Sequence, residues 1–86
     1  MFQATLVIQN PSGLHARPAS RLTQLCQKFS SEILIKTGSK TIQPKSIVSL
    51  LASGIRAGSE IILEITGEDE EEAGARIIEL INSFDE

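Results

Sequence analysis

Pro11-Ser12-Gly13-Leu14-His15-Ala16-Arg17-Pro18-Ala19-Ser20-Arg21 decides how this chain is read, because it sets the only histidine of the sequence at the mouth of a helix. Pro18 and Ala19 are followed by Leu22, Leu25, Cys26 and Phe29, the spacing of a helix with one buried face. Proline suits a first turn, where its missing N–H goes unused, so the helix is expected to begin between Ala16 and Pro18. His15 then stands just outside, beside first-turn N–H groups that have no partner within the helix. An anion is favoured in such a place. A phosphoryl group on the imidazole would meet the helix start formed by Ala16, Arg17 and Pro18, and the positive end of the helix dipole adds about 0.3–1 kcal/mol. The Arg17 guanidinium can grip phosphate oxygens with two parallel hydrogen bonds.

Working outward, Phe2 to Ile8 alternates, with Phe2, Ala4, Leu6 and Ile8 on one side and Gln3, Thr5 and Val7 on the other, as a half-buried strand does. Asn10-Pro11-Ser12-Gly13 breaks it. Beyond the helix, Glu32 to Thr37 is a second strand with Ile33 and Ile35 inward, Gly38-Ser39 is a two-residue turn, and Lys40 to Gln43 returns as a short third strand stopped by Pro44. Ser46 precedes Ile47, Leu50 and Leu51 and suits the capping place of a short helix that closes at Gly54. Glu60 to Thr66 alternates as a fourth strand. After Gly67, Asp69 and Glu72 have the form of a capping box ahead of a last helix carrying Ala73, Ile77, Leu80, Ile81 and Phe84. The acidic run Glu68 to Glu72 is read as structural. The order strand, helix, two strands, helix, strand, helix, with strands apolar on one side, predicts an α+β fold: an antiparallel sheet with helices on one face.

Eighty-six residues suffice for one small domain, taken as 1–86, with no repeat, linker or low-complexity segment. A net charge of −3 and the absence of Trp and Tyr argue against a nucleic-acid surface. The single cysteine, Cys26, forms no internal disulfide and falls on the apolar side of the first helix, which suits the cytoplasm. No apolar run is long enough to span a bilayer, and the start of the chain lacks signal-peptide character. One His and one buried Cys make no metal site, and no cofactor is expected. A ferredoxin-like RNA-binding or ligand-binding module would share part of the element order. It would give no reason for His15 and Arg17 beside Pro18 and would want exposed aromatics.

Gly13-Leu14-His15-Ala16-Arg17-Pro18-Ala19 resembles the active-site segment of the HPr family, the histidine-containing phosphocarriers of the bacterial phosphoenolpyruvate:sugar phosphotransferase system. Lys45-Ser46-Ile47, followed by a short helix, Gly54, Gly58 and a strand, resembles the family's second signature, so the likeness spans the whole chain. It implies an open-faced β-sandwich, a four-stranded antiparallel sheet covered by three helices. It also implies a carrier, not an enzyme, that takes phosphate on His15 Nδ1 from enzyme I, with Arg17 as phosphate partner, and gives it to sugar-specific A components. In many Gram-positive relatives the serine aligned with Ser46 is phosphorylated by HPr kinase/phosphorylase, and the product assists a catabolite control repressor. Pro44 stands where relatives more often carry Leu or Ala, and Ser53 where Leu is usual. A carrier that two partners reach in turn needs an exposed site. Ile47, Val48 and Leu51, with Ser20 and Arg21, are the expected docking residues, Leu50 is expected in the core, and the chain is expected to work as a monomer. The rival within the same family is a regulatory paralogue in nitrogen or carbon catabolite control.

Overall fold

The computed structural model describes residues 1–86 as four strands and three helices: β1 (Phe2–Val7), α1 (Ala16–Cys26), β2 (Glu32–Thr37), β3 (Lys40–Ile42), α2 (Ile47–Leu51), β4 (Glu60–Thr66) and α3 (Glu70–Ser83). The sheet runs β1-β4-β2-β3 and every pairing is antiparallel. β4 lies between β1 and β2, and its Ile61, Leu63 and Ile65 are wholly buried. Ile42, Ile35, Leu63 and Ala4 face one another in a row that crosses all four strands. Ile33, Ile65 and Phe2 form a second row beside it. Side chains on a pleated strand alternate in face, so these rows share the side covered by helices. Leu34, Ile62 and Glu64 occupy the other, open side and are only half-buried.

The helices close that buried face with Ala19, Leu22, Leu25 and Cys26 from α1, Leu50 from α2, and Ala73, Ile77 and Ile81 from α3. Each Ile or Leu withdrawn from water contributes roughly 1.5–3 kcal/mol. α3 packs on β1 and β4, and it can do so closely because Gly74 leaves room for the Phe2 ring, which any β-carbon there would strike. Burial pushes the Cys26 thiol up to about 12, so it packs as an uncharged hydrophobe.

Three details differ from the sequence reading. α1 ends at Cys26, and Phe29 reaches the core from a tight turn in which its N–H donates to Cys26 O at 3.2 Å. β3 ends at Ile42 because the Gln43 N–H leaves the ladder to donate to Ser49 Oγ at 3.1 Å. The third concerns Asp69, which stands at the capping place of α3 but makes no capping hydrogen bond. Its carboxylate accepts instead from Ser30 N at 2.9 Å, Ser31 N at 3.0 Å and the Ser31 hydroxyl. Nor does Glu72 reach back; Glu70 does, accepting from Gly67 N at 3.1 Å, while Glu72 approaches Arg76. The loop after α1 is held from a second direction by Lys45, whose ammonium donates to Phe29 O and Ser31 O at 2.8 Å each. Donors and acceptors of one loop are thus answered by two side chains remote in sequence.

The Ser31 hydroxyl, with the N–H groups of Ser30 and Ser31, holds the Asp69 carboxyl down at about 2. A carboxylate lowered in the folded state stabilises above its unfolded value near 3.8, and that contribution disappears as pH falls through about 2. Thermal unfolding of the parent should therefore show Tm falling between pH 4 and pH 2. Asp69→Asn should start from a lower Tm and lose less over the same interval. Parallel pH dependence in the two proteins would remove Asp69 from this role.

Candidate functional site

The loop from Asn10 to His15 is fixed before the helix begins. Asn10 Nδ2 donates to Gly13 O at 2.9 Å, and Gly13 N returns a bond to Asn10 O at 3.1 Å. Gly13 has φ of +63°, and a β-carbon there would lie 2.5 Å from Ile55 O and from Arg56 Cα, so only glycine fits. The next residue, Leu14, is wholly buried and its N–H donates to Ile55 O at 3.1 Å. One residue further the chain is at the surface.

His15 is the N-cap residue of α1, in extended conformation, and its exposed side chain makes no capping hydrogen bond. Its carbonyl accepts from Ala19 N at 3.4 Å, which opens the helical ladder. Within that first turn Pro18 has no N–H, so the donors without an intrahelical partner are those of Ala16 and Arg17. Imidazole and amides meet at the positive end of an 11-residue helix whose first turn contains no acidic residue. None of the three surface hollows of the molecule includes His15, so the site is an open knob.

Ala16 has φ of +53° and is the only non-glycine residue in the left-handed region. Such a conformation costs an L-residue roughly 1–3 kcal/mol and persists only where the surroundings enforce it, commonly at functional sites. The sequence carries no sign of it, since alanine has no preference for that region.

Arg17 is 74% exposed and its Nη1 lies 3.4 Å from the Glu86 carboxylate. A pair this exposed contributes at most about 1 kcal/mol, so a phosphate can displace it. The backbone of Glu86 accepts from Ser12 N at 2.8 Å, which brings residues 12, 17 and 86 to one end of the molecule. Sequence reasoning had no means of placing Glu86 there. Ser20 and Arg21 are exposed one turn further along α1, and the Arg21 guanidinium stands 5.6 Å above the centre of the Phe84 ring.

Ser46 is the N-cap of α2, and its Oγ accepts from Ser49 N at 3.2 Å. Ile47 and Leu51 are about two-fifths exposed and Val48 is 73% exposed, whereas Leu50 is wholly buried. α2 packs against α1 and runs back along it, since Gln27 at the end of α1 donates to Lys45 O and Leu14 before its start donates to Ile55 O. Ser46 therefore lies at the end of α1 away from His15, about 16 Å off by the length of 11 helical residues. The two substituted positions fit locally. Pro44 is buried, and Ser53 Oγ donates to Leu50 O at 2.6 Å while accepting from Ile55 N at 3.2 Å, which ends α2.

No three residues among His, Cys, Asp and Glu come together as a metal site, and no helix is long and apolar enough to cross a membrane.

Comparison with known proteins agrees with this arrangement. The family pattern described as the PTS HPr component phosphorylation site matches residues 2–83. Phosphocarrier protein HPr of Borreliella burgdorferi is 36% identical over 86 residues, covering all of both chains. Phosphocarrier protein NPr of Escherichia coli is 43% identical over 84 residues, 95% of this chain and 93% of that one. The crystal structure of HPr from Thermoanaerobacter tengcongensis superposes with a TM-score of 0.93 at 40% identity, covering 96% of this chain and 93% of that one. A family pattern over nearly the whole chain, end-to-end relatives and a shared fold show that the chain belongs to the HPr family, the phosphocarrier proteins, not catalysts, of the phosphotransferase system.

Proposed function

We propose that His15 is the phosphate acceptor and that the chain carries the phosphoryl group from enzyme I to sugar-specific A components in the cytoplasm. The observation that supports this most is the His15 side chain itself, exposed at the N-cap of α1 with no internal hydrogen bond and with the Ala16 and Arg17 N–H groups free beside it. In the transfer, the lone pair of unprotonated Nδ1 attacks phosphorus, and the bond from phosphorus to the donor breaks with its electron pair leaving on the donor. The imidazole keeps its other proton on Nε2. The two amides then donate to the phosphoryl oxygens, and Arg17 turns from Glu86 to bind them. Because nothing encloses the group, the next acceptor reaches the same phosphorus and the step runs in reverse on a new partner. Ile47, Val48 and Leu51, with Ser20 and Arg21, form the docking surface around it.

A second reading is favoured by the 43% identity to NPr: a phosphocarrier serving nitrogen or carbon catabolite control. It uses the same His15 chemistry and differs in the partner. Transfer to sugar-specific A components, compared with transfer to other phosphoryl acceptors, separates the two.

Incubation with phosphoenolpyruvate and enzyme I should add one phosphoryl group, lost again in acid, as a mass measurement reads directly. His15→Ala should fold with the parent's Tm and gain nothing. Uptake by that variant would overturn the assignment. Arg17→Lys keeps the charge but not the two-pronged contact and should slow transfer roughly tenfold or more, the worth of one charge-assisted hydrogen bond. Equal rates for the two proteins would show that charge alone matters.

Ser46 is proposed as a regulatory phosphorylation site for HPr kinase/phosphorylase, the modified protein acting on a catabolite control repressor. A phosphate at the cap of α2 stands at the favourable end of its dipole, so the fold should be kept. The distance from His15 leaves no direct contact, and the effect must arise beside Ile47 and Val48, where a docking partner would have to desolvate the new charge. Ser46→Asp should therefore melt like the parent and require a higher concentration for transfer from enzyme I. An unfolded variant, or one with unchanged concentration dependence, would leave Ser46 as a cap only.

A further inference from the structure

The broadest hollow on the surface lies between α1 and α3, about 480 Å³ in volume, within the size range of small-ligand sites. It is lined by Arg21 and Gln24 of α1, by Lys28 from the turn that follows α1, and along α3 by Arg76, Glu79 and Ser83, three residues at the i, i+3, i+7 spacing that faces one way on a helix. Leu25 and Leu80 complete the lining. In a chain of net charge −3, three cations here meet a single carboxylate.

Those cations are not consumed by the protein. Lys28 has no ion pair, Arg76 only approaches Glu72 at 3.9 Å, and Arg21 is held by the face of Phe84, which leaves its guanidinium edge free to donate. Against the three cations stand an amide, a carboxylate and a hydroxyl, the groups that read sugar hydroxyls, beside two leucines that can lie against the C–H face of a ring. An acidic protein surface would gain from the cations and be repelled by Glu79; a molecule with a phosphate at one end and hydroxyls at the other uses both.

We propose that the groove between α1 and α3 binds a small polyhydroxylated organic phosphate, its phosphate held by Arg21, Lys28 and Arg76 and its hydroxyls by Gln24, Glu79 and Ser83. The carrier role does not enter this argument, and the site can be tested in the unphosphorylated chain. The groove is open to solvent on one side, so dissociation constants of order millimolar are expected.

Amide NMR titration with glucose 6-phosphate, AMP and inorganic phosphate tests it. At least one organic phosphate should give saturable shifts centred on residues 24–28 and 76–83, more tightly than inorganic phosphate, and the tighter of the two identifies whether a sugar phosphate or a nucleotide is the ligand. Lys28→Ala combined with Arg76→Ala should weaken that binding about tenfold or more at nearly unchanged Tm. Glu79→Ala should weaken the organic phosphate while leaving inorganic phosphate as tight or tighter. Absence of saturable shifts, equal affinity for all three probes, or shifts confined to residues 15–18 would overturn the proposal.

Discussion

Everything in this molecule depends on burying one face of one sheet. β4 is paired on both sides, and its Ile61, Leu63 and Ile65 hold the rows of apolar side chains that the three helices cover. Because the buried face is complete only when α1 lies across it, the position of α1 is set by packing and not by the site it carries. The site follows from where that helix begins. Leu14 is drawn into the core and bonded to Ile55, and His15 is left outside at the first turn.

That division between a buried Leu14 and an exposed His15 is what the proposed carrier role asks of a small domain, a side chain offered to partners without a pocket. Pocket-forming enzymes enclose their chemistry to exclude water. A carrier must do the opposite, since a second protein has to reach the same phosphorus. The rigidity is supplied from below: Asn10 and Gly13 close the turn, Ile55 receives Leu14, and the left-handed Ala16 bends the chain into α1. The electrostatics come from the helix end and from Arg17, both open to solvent.

Much of this was legible in the sequence. Alternation in 2–8, 32–37 and 60–66 marked the strands, the Gly38-Ser39 turn set Thr37 opposite Lys40, and Ser46 was recognisable as a cap because its bond is to a residue three positions on. Local patterns failed where a remote partner competed. Asp69 has the sequence form of a capping residue, but Ser31, 38 positions away, offers its carboxylate an N–H and a hydroxyl together, and the cap is given up. Ala16 was illegible for a different reason: its conformation is imposed by what surrounds it, and alanine carries no mark of that. Glu86 beside Arg17, and α3 facing α1 across a cationic groove, are facts of tertiary structure with no local signal.

The central claim is that the start of α1 holds a phosphoryl group on His15. Phosphorylating ¹⁵N-labelled protein with phosphoenolpyruvate and enzyme I, and following the imidazole and amide resonances, tests it most directly. The account predicts phosphorus coupling at Nδ1 of His15 together with downfield shifts of the Ala16 and Arg17 amide protons as they begin to donate to phosphate oxygens. Phosphorus on Nε2, or on another residue, or phosphorylated His15 with those two amides unmoved, would contradict it.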